Sequence, residues 1–187
     1  DLNSRPDQSP SRWVINFFDW TEDHCADTYP NVFEVIRDKV MPERTRRDEN
    51  GEFVLRKPLP QKWWIYADKR PKLYRTISTM DRVLVINRHT KCLAFSFQKT
   101  GIVYSDATVV VAMREWADFV ALSSSFHDAW AWKNGSTMGA GTLRYTPSSI
   151  FETFPFPDSP SSVALNNLGE RYHEHRRTLM KSLWLGL

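Results

Sequence analysis

Basic and polar residues follow a strand-like apolar run near the middle of the chain. Residues 82–87 read Arg-Val-Leu-Val-Ile-Asn, and Arg88, His89 and Lys91 come directly after Asn87. An arginine can bind O6 and N7 of guanine, and an asparagine can bind N6 and N7 of adenine. A rigid strand that ends in such residues is a suitable support for reading base edges. A polar hairpin tip is the alternative interpretation of the same residues.

A second polar group surrounds a glycine-rich segment, residues 135–141. Lys133, Ser136 and Thr137 stand at its start, and Arg144 follows its end. Backbone amides and hydroxyls in such a loop can hold phosphates or bases, because glycine lets a ligand approach the backbone closely. The alternative is an ordinary helix C-terminus followed by a connecting loop.

Positive charge is concentrated in one part of the sequence, although the formal net charge is only +3. Residues 37–91, which include Lys69 and Arg70, carry fifteen Lys and Arg against seven Asp and Glu. A basic block of this kind is typical of a surface that binds a polyanion, because counterion release contributes to the affinity. A solvated surface with scattered cations is the alternative.

Residues that could support catalysis or bind a metal do not form a recognisable motif. The sequence has neither a GxxxxGK[ST] phosphate-binding loop nor a CxxC pair. Ser125, His127 and Asp128 are crowded on one predicted helix, where we expect His127 to lie at the surface. The sequence therefore predicts no catalytic residue, no metal site and no cofactor in this chain.

Length and composition indicate one globular domain of ordinary size. The 187 residues are 41% hydrophobic and 13% aromatic, and the mean hydropathy is −0.49. No apolar run approaches the roughly 20 residues of a membrane span, so no membrane partner is expected. Two cysteines, Cys25 and Cys92, are typical of a reducing compartment, and we expect the cytoplasm. Because the chain begins at Asp1 rather than Met, we interpret it as part of a larger protein.

The pattern of apolar residues predicts a mixed α+β fold. Strand composition marks residues 12–19, 82–87, 93–97 and 102–113, the last interrupted near 105–106, and short connections between the last three indicate antiparallel hairpins. A further short strand is predicted at 143–145. Helical patterns occur at 29–47 with a bend at Pro42, 62–80 with a break at Pro71, 115–132, 147–154 and 161–185. The fold class is thus α/β in the mixed α+β sense: central, mostly antiparallel strands flanked by helices, with an amphipathic C-terminal helix.

A series of short motifs occurs in a distinctive order along residues 12–157. They are Arg12-Trp13-Val14-Ile15-Asn16-Phe17, Tyr29-Pro30, Pro42-Glu43-Arg44, Trp63-Trp64, Arg70-Pro71, Arg82-Val83-Leu84-Val85, Tyr104-Ser105-Asp106-Ala107, Gly135-Ser136-Thr137, Leu143-Arg144-Tyr145-Thr146-Pro147-Ser148 and Phe151-Glu152-Thr153-Phe154-Pro155-Phe156-Pro157. Together they resemble the target recognition domain of type IIL restriction–modification enzymes and related adenine-specific DNA methyltransferases, including those of phage-defence systems. The segment after residue 161, with Tyr172, His175, Arg176 and Leu179, also resembles the part that follows this domain.

The resemblance implies a recognition domain that lies in the major groove of double-stranded DNA and selects the sequence to be methylated. Family methyltransferases use S-adenosylmethionine and an Asn/Asp-Pro-Pro-Tyr/Phe motif beside a flipped adenine. That motif does not occur here. Methylation, and the cofactor, are therefore expected of the parent protein, whose methyltransferase portion would be the partner of this chain. The sequence leaves open whether the parent also cleaves DNA, which bases are recognised and the oligomeric state.

The residue pattern and the resemblance together give a domain organisation and a set of expected DNA contacts, which the family pattern does not fix residue by residue. Residues 1–11 form an arm or linker, 12–157 the recognition domain and 158–187 a C-terminal helical segment. Base-contacting residues are expected in three places: 87–91, 105–106 and 136–144. The predicted DNA-binding residues are Asn87, Arg88, His89, Lys91, Ser105, Asp106, Lys133, Ser136, Thr137, Arg144, Lys69 and Arg70.

Two other classes of function are compatible with the same residues. A protein–protein interaction or scaffolding domain would leave the basic block solvated, and it would not bind duplex DNA at low salt. A small self-contained nuclease or hydrolase would turn over substrate without a partner domain.

Overall fold

The computed structural model describes residues 2–139, 141–158 and 162–186. Clustering of backbone contacts divides the chain into two compact units. The first unit comprises Asp1–Arg12 and Tyr74–Leu187, and the second comprises Trp13–Leu73. The fold class is mixed α+β, as predicted, with eight helices and two small antiparallel sheets in the described residues.

In the described residues, helices both precede the first strand and follow the last one. The helices are α1 Glu22–Thr28, α2 Pro30–Lys39, α3 Met41–Arg44, α4 Pro71–Ile77, α5 Trp116–Leu122, α6 Ser125–Asn134, α7 Pro147–Ile150 and α8 Val163–Leu183. The strands are β1 Arg82–Asn87, β2 His89–Thr90, β3 Ser96–Lys99, β4 Thr108–Val111, β5 Ser136–Thr137 and β6 Leu143–Arg144. No described helix combines the length and apolarity that crossing a bilayer requires.

The core of the first unit forms around a three-stranded antiparallel sheet of order β3-β1-β4. Every residue of β1 after Arg82 is buried, as expected for a short continuous apolar run that is covered on both faces. Leu84 pairs with Phe97 on one side and with Val111 on the other. The predicted strand 82–87 and its antiparallel neighbours are confirmed, although β3 begins three residues later than predicted and β4 occupies only residues 108–111.

Two short helices occupy residues 115–132, where the sequence pattern predicts one. Helix α5 begins with a capping box formed by Glu115 and Asp118 and ends at Leu122, with Ser123 as its C-cap. Ser124 then caps α6, and its side-chain oxygen accepts a hydrogen bond from the backbone amide of His127. Serine favours such caps because its hydroxyl bonds the free amides of a new helical turn. The apolar periodicity continues across this junction, so it does not reveal the break.

The C-terminal helix α8 is long, as predicted, and packs against α5 through Gly169 and Arg176. A Cβ added at Gly169 would lie 2.5 Å from the backbone oxygen of Trp116, so the two helices touch at this glycine. The Arg176 guanidinium donates to the backbone oxygen of Phe95 at 2.5 Å and lies 5.3 Å from the Phe119 ring centroid. Close backbone approach at Gly169 and the half-buried guanidinium of Arg176 therefore hold α8 against the rest of the first unit.

The second unit is built from α1, α2 and α3 around a small aromatic core. Its buried residues are Phe17, Cys25, Phe33, Ile36, Trp63 and Ile65. Helix α2 starts with Pro30, which suits a first helical turn, and the predicted bend at Pro42 is a change of helix, from α2 to α3. The Arg44 guanidinium at the end of α3 donates to the backbone oxygens of Trp63 and Ile65. Residues 62–66 are thereby held against the helices.

Two predicted elements of the second unit are wrong. Residues 12–19 have strand composition but form no strand: Trp13 is fully exposed and Phe18 has φ +50°. Residues 62–64 form turns and residues 65–70 are irregular, so this stretch is not a helix. Trp63 and Ile65 are both buried there, two residues apart, and this alternation is incompatible with a helical face. Pro71 starts α4 rather than breaking a longer helix.

The predicted arm lies in the first unit. Leu2 is buried, and the backbone oxygen of Gln8 accepts a hydrogen bond from Gln98 Nε2 at 3.1 Å. The boundaries at 11 and 157 stay predictions, since the division by contacts follows different limits.

Candidate nucleic-acid interface

A second small sheet gathers the two loop regions predicted to contact bases. Its strand order is β2-β6-β5, and each strand has two residues. Arg144 in the central strand pairs with His89 on one side and with Ser136 on the other. Directly opposite residues of an antiparallel ladder project from the same face of a sheet. We call His89, Arg144 and Ser136 the outer row.

The outer row is exposed, whereas two of the three residues on the opposite face of the sheet are buried and the third, Thr137, is exposed. His89, Arg144 and Ser136 are all exposed to solvent. The neighbouring residues Thr90 and Leu143 are buried, and Leu143 belongs to the main apolar cluster. Within the part of the chain that the structure describes, the Arg144 side chain has no hydrogen-bond or ion-pair partner. The sheet therefore presents an unengaged arginine between two short polar side chains.

Arg88 ties the third predicted region to this sheet. Its backbone amide donates to the Ala107 oxygen at 2.8 Å, and its Nε donates to the Asp106 backbone oxygen at 2.7 Å. The Tyr145 amide in turn donates to the Arg88 oxygen at 2.7 Å. The turn at 105–107, closed by a bond from the Ala107 amide to Ser105 Oγ, is thereby held beside the sheet. Arg88, the turn at 105–107 and the outer row are thus joined by hydrogen bonds and strand pairing.

A buried hydrogen bond between Tyr145 and His127 anchors the end of the central strand, β6, in the core. The Tyr145 hydroxyl lies 3.2 Å from His127 Nε2, and His127 Nδ1 lies 2.8 Å from the Leu122 backbone oxygen. Because a carbonyl can only accept, Nδ1 carries the proton and Nε2 accepts from the tyrosine. Burial lowers the pKa of His127 and raises the pKa of Tyr145, which keeps both groups neutral.

The interpretation of His127 as a surface residue is wrong, since its side chain is fully buried. Its partner Tyr145 lies 18 residues away along the chain, beyond any helical spacing. No local signal in the sequence could have identified this pair as the support of the outer row.

The other predicted contacts have different surroundings. Lys91 and Lys133 are exposed, directly after β2 and in the last turn of α6, and Thr137 is exposed in β5. Asn87 is only 9% exposed and lies inside β1, paired with Thr108, rather than at a loop tip. Lys69 and Arg70 belong to the second unit. There the Lys69 ammonium forms an ion pair with Asp19.

The basic block is divided between the two units. Eleven of its fifteen Lys and Arg lie in the second unit, where eleven Asp and Glu give a net charge of zero. The remaining four lie in the first unit, which carries the whole net charge of +3. Charge counted along the sequence therefore overstates the positive charge of the second unit. The outer row lies in the unit with the positive balance.

Several arginines of the block have structural contacts. The Arg82 guanidinium lies 4.0 Å from the Phe97 ring centroid and 4.2 Å from that of Trp116, and its Nε donates to the Arg114 oxygen at 2.9 Å. Arg47 lies 4.0 Å from the Phe53 ring centroid. Such cation–π contacts stabilise the fold and occupy the cation. The other exposed cations of the block are Lys39, Arg46, Arg56, Lys57, Lys62, Lys72, Arg75 and Lys91, together with Arg37, which pairs with Glu34.

An apolar groove lies on another part of the first unit. It has a volume of about 280 Å³ and is lined by side chains of α5, the segment 154–157 and α8. Phe126 at its margin is 82% exposed. Helix α8 also exposes an apolar stripe formed by Leu168, Tyr172, Leu179 and Leu183. These surfaces are chemically unlike the outer row.

The described residues contain no group of three or more His, Cys, Asp or Glu that could hold a metal ion. Comparison of the chain with protein-family models, with curated proteins and with solved structures finds no match.

Proposed function

We propose that this chain recognises double-stranded DNA, with the outer row of the second sheet facing the major groove. The observation that carries the proposal is the register of this sheet, which places an exposed arginine between His89 and Ser136. β-Strands are an established way to present side chains to the major groove. Arg88 and the turn at 105–107, which also belong to the regions expected to contact bases, are held beside this row by hydrogen bonds.

The charges near the outer row support binding to phosphates. Lys91 and Lys133 are exposed close in sequence to β2 and β5. Lysines in such positions contact the DNA backbone without sequence preference and supply most of the salt-dependent affinity. The net charge of +3 in the first unit also favours binding to the negatively charged phosphates.

The resemblance extends the proposal to the parent protein. We propose an N6-adenine DNA methyltransferase or a combined restriction–modification enzyme of the cytoplasm. S-Adenosylmethionine would bind the methyltransferase portion, and this chain would select the target sequence. No step of the methyl transfer is assigned to residues of this chain.

Titration of the chain with duplexes of random sequence at several salt concentrations tests this proposal. The logarithm of the affinity should fall linearly with the logarithm of the salt concentration, with a slope of about −0.9 for each phosphate neutralised. About three phosphate contacts would lower the affinity roughly 40-fold between 50 and 200 mM salt. The double variant Lys91→Ala/Lys133→Ala should flatten this slope, while Lys181→Ala on α8 should leave it unchanged. Absence of binding at low salt, or a slope of zero, would refute the proposal.

A protein–protein interaction domain is the second candidate function. It is favoured by the apolar groove and by the exposed stripe of α8. Exposed apolar patches of this kind often mark interaction sites. The duplex titration separates the two functions, because an interaction domain of this type has no affinity for DNA at low salt.

A further inference from the structure

We infer that Arg144 reads a guanine of the bound duplex, whereas Arg88 positions the neighbouring turn and contacts no base. The inference rests on the proposed function and assigns different roles to two arginines that the sequence presents as equivalent candidates.

Arg144 has the surroundings that a base-reading side chain requires. It occupies the central strand of the second sheet, and its backbone is held on both sides by β2 and β5. Leu143 before it and Tyr145 after it are completely buried. The Arg144 guanidinium is exposed and unengaged within the described residues, so all its donors are available to a ligand. A rigid backbone with a free planar fork favours bidentate binding to guanine O6 and N7.

Arg88 has the opposite surroundings. Its side chain is half-buried, and its Nε donates to the Asp106 backbone oxygen at 2.7 Å. Its backbone amide and oxygen bond Ala107 and Tyr145. The bond from Nε holds the guanidinium against the turn at 105–107 and leaves only the terminal Nη groups of a half-buried side chain for a ligand. Arg88 is therefore a positioning residue, which keeps that turn next to the outer row.

The width of the sheet indicates how the outer row fits a duplex. Neighbouring strands lie about 4.8 Å apart, so the outer strands β2 and β5 are separated by about 10 Å. The major groove is about 12 Å wide and about 8.5 Å deep. The groove admits a helix or a two-stranded ribbon, so the three-stranded sheet would lie across its mouth, with the long side chain of Arg144 in the central strand reaching toward the floor. In that placement His89 and Ser136, on the two outer strands, would lie next to the phosphate backbones.

Selection of bound sequences from a randomised duplex library tests this division of roles. For the unaltered chain, we expect a preferred site that contains at least one G·C pair. Arg144→Ala should lower the preference for guanine at one position by about 5- to 150-fold and leave the other positions unchanged. Arg144→Lys, which keeps the charge but loses the fork, should lose the same preference. Arg88→Ala should reduce the affinity for all sequences by a common factor, without altering the preferred bases.

Three outcomes would overturn the inference. If Arg144→Ala weakens all sequences equally, Arg144 contacts a phosphate, and the proposed function stands without this inference. If Arg88→Ala removes the preference at one position, Arg88 reads a base. If the unaltered chain binds no duplex at low salt, the proposed function itself fails, and the inference fails with it.

Discussion

Replacement of Tyr145 by alanine is expected to lower the free energy of unfolding of the first unit by about 3–5 kcal/mol, the range found when large buried aromatic residues are truncated. The Tyr145 ring is fully buried and contacts the rings of Phe95 and His127. Its loss creates a cavity directly beneath the outer row and leaves His127 Nε2 without a donor. Urea denaturation followed by tryptophan fluorescence measures the change as a lower midpoint with a similar slope.

Tyr145→Phe is the matched variant, since it keeps the ring and removes only the hydroxyl. This variant should lower the free energy of unfolding by about 1–3 kcal/mol, because His127 Nε2 then remains buried without a hydrogen bond. Equal stability of Tyr145→Phe and the unaltered chain would show that the bond between hydroxyl and imidazole does not hold the central strand.

Enlargement of Gly169 is expected to separate α8 from α5. A Cβ at this position meets the Trp116 backbone oxygen at 2.5 Å and the Trp116 Cβ at 3.0 Å. Neither atom can move independently of the α5 backbone. Gly169→Leu should therefore lower the free energy of unfolding by about 3 kcal/mol or more. This is the upper end of the range of roughly 1–3 kcal/mol that is typical of overpacked sites. Urea denaturation gives the magnitude, and limited proteolysis within α8 should become faster.

Gly169→Ala separates two effects that change the free energy of unfolding in opposite directions. Helix propensity alone would make alanine more stable than glycine by about 1 kcal/mol. The contact with Trp116 predicts destabilisation instead. Asn167→Ala, at an exposed position of the same helix, should have little effect or stabilise slightly. A stabilised Gly169→Ala variant would contradict the packing described for α8.

Elements with a continuous local signal could be predicted from the sequence, and elements that depend on distant partners could not. The apolar run of β1 and the amphipathic pattern of α8 can both be recognised from residues that are neighbours in the sequence. Residues 12–19 have strand composition, but a strand also needs a neighbour to pair with, and none adjoins this segment in the described residues. Residues 62–66 are held by Arg44, some twenty residues earlier, and no periodicity records such a contact.

The candidate site also depends on contacts between residues that are distant in the sequence. The residue types at 87–91 and 136–144 indicate nucleic-acid chemistry, but their pairing joins strands of two residues, which leave no periodic pattern. The different surroundings of Arg88 and Arg144 are visible only once the sheet has formed. The basic block was the least reliable guide to the binding surface. Acidic residues of the second unit that lie before residue 37 bring the net charge of that unit to zero.

Mapping the bound duplex onto the chain tests the central claim most directly. Backbone amide chemical shifts of the isotopically labelled protein should be recorded with and without a duplex that it binds. We expect the largest changes at residues 88–91, 105–107 and 136–144, with smaller changes along α8. Changes concentrated at the apolar groove or on α8, with the outer row unaffected, would contradict the claim that the second sheet is the DNA-binding surface.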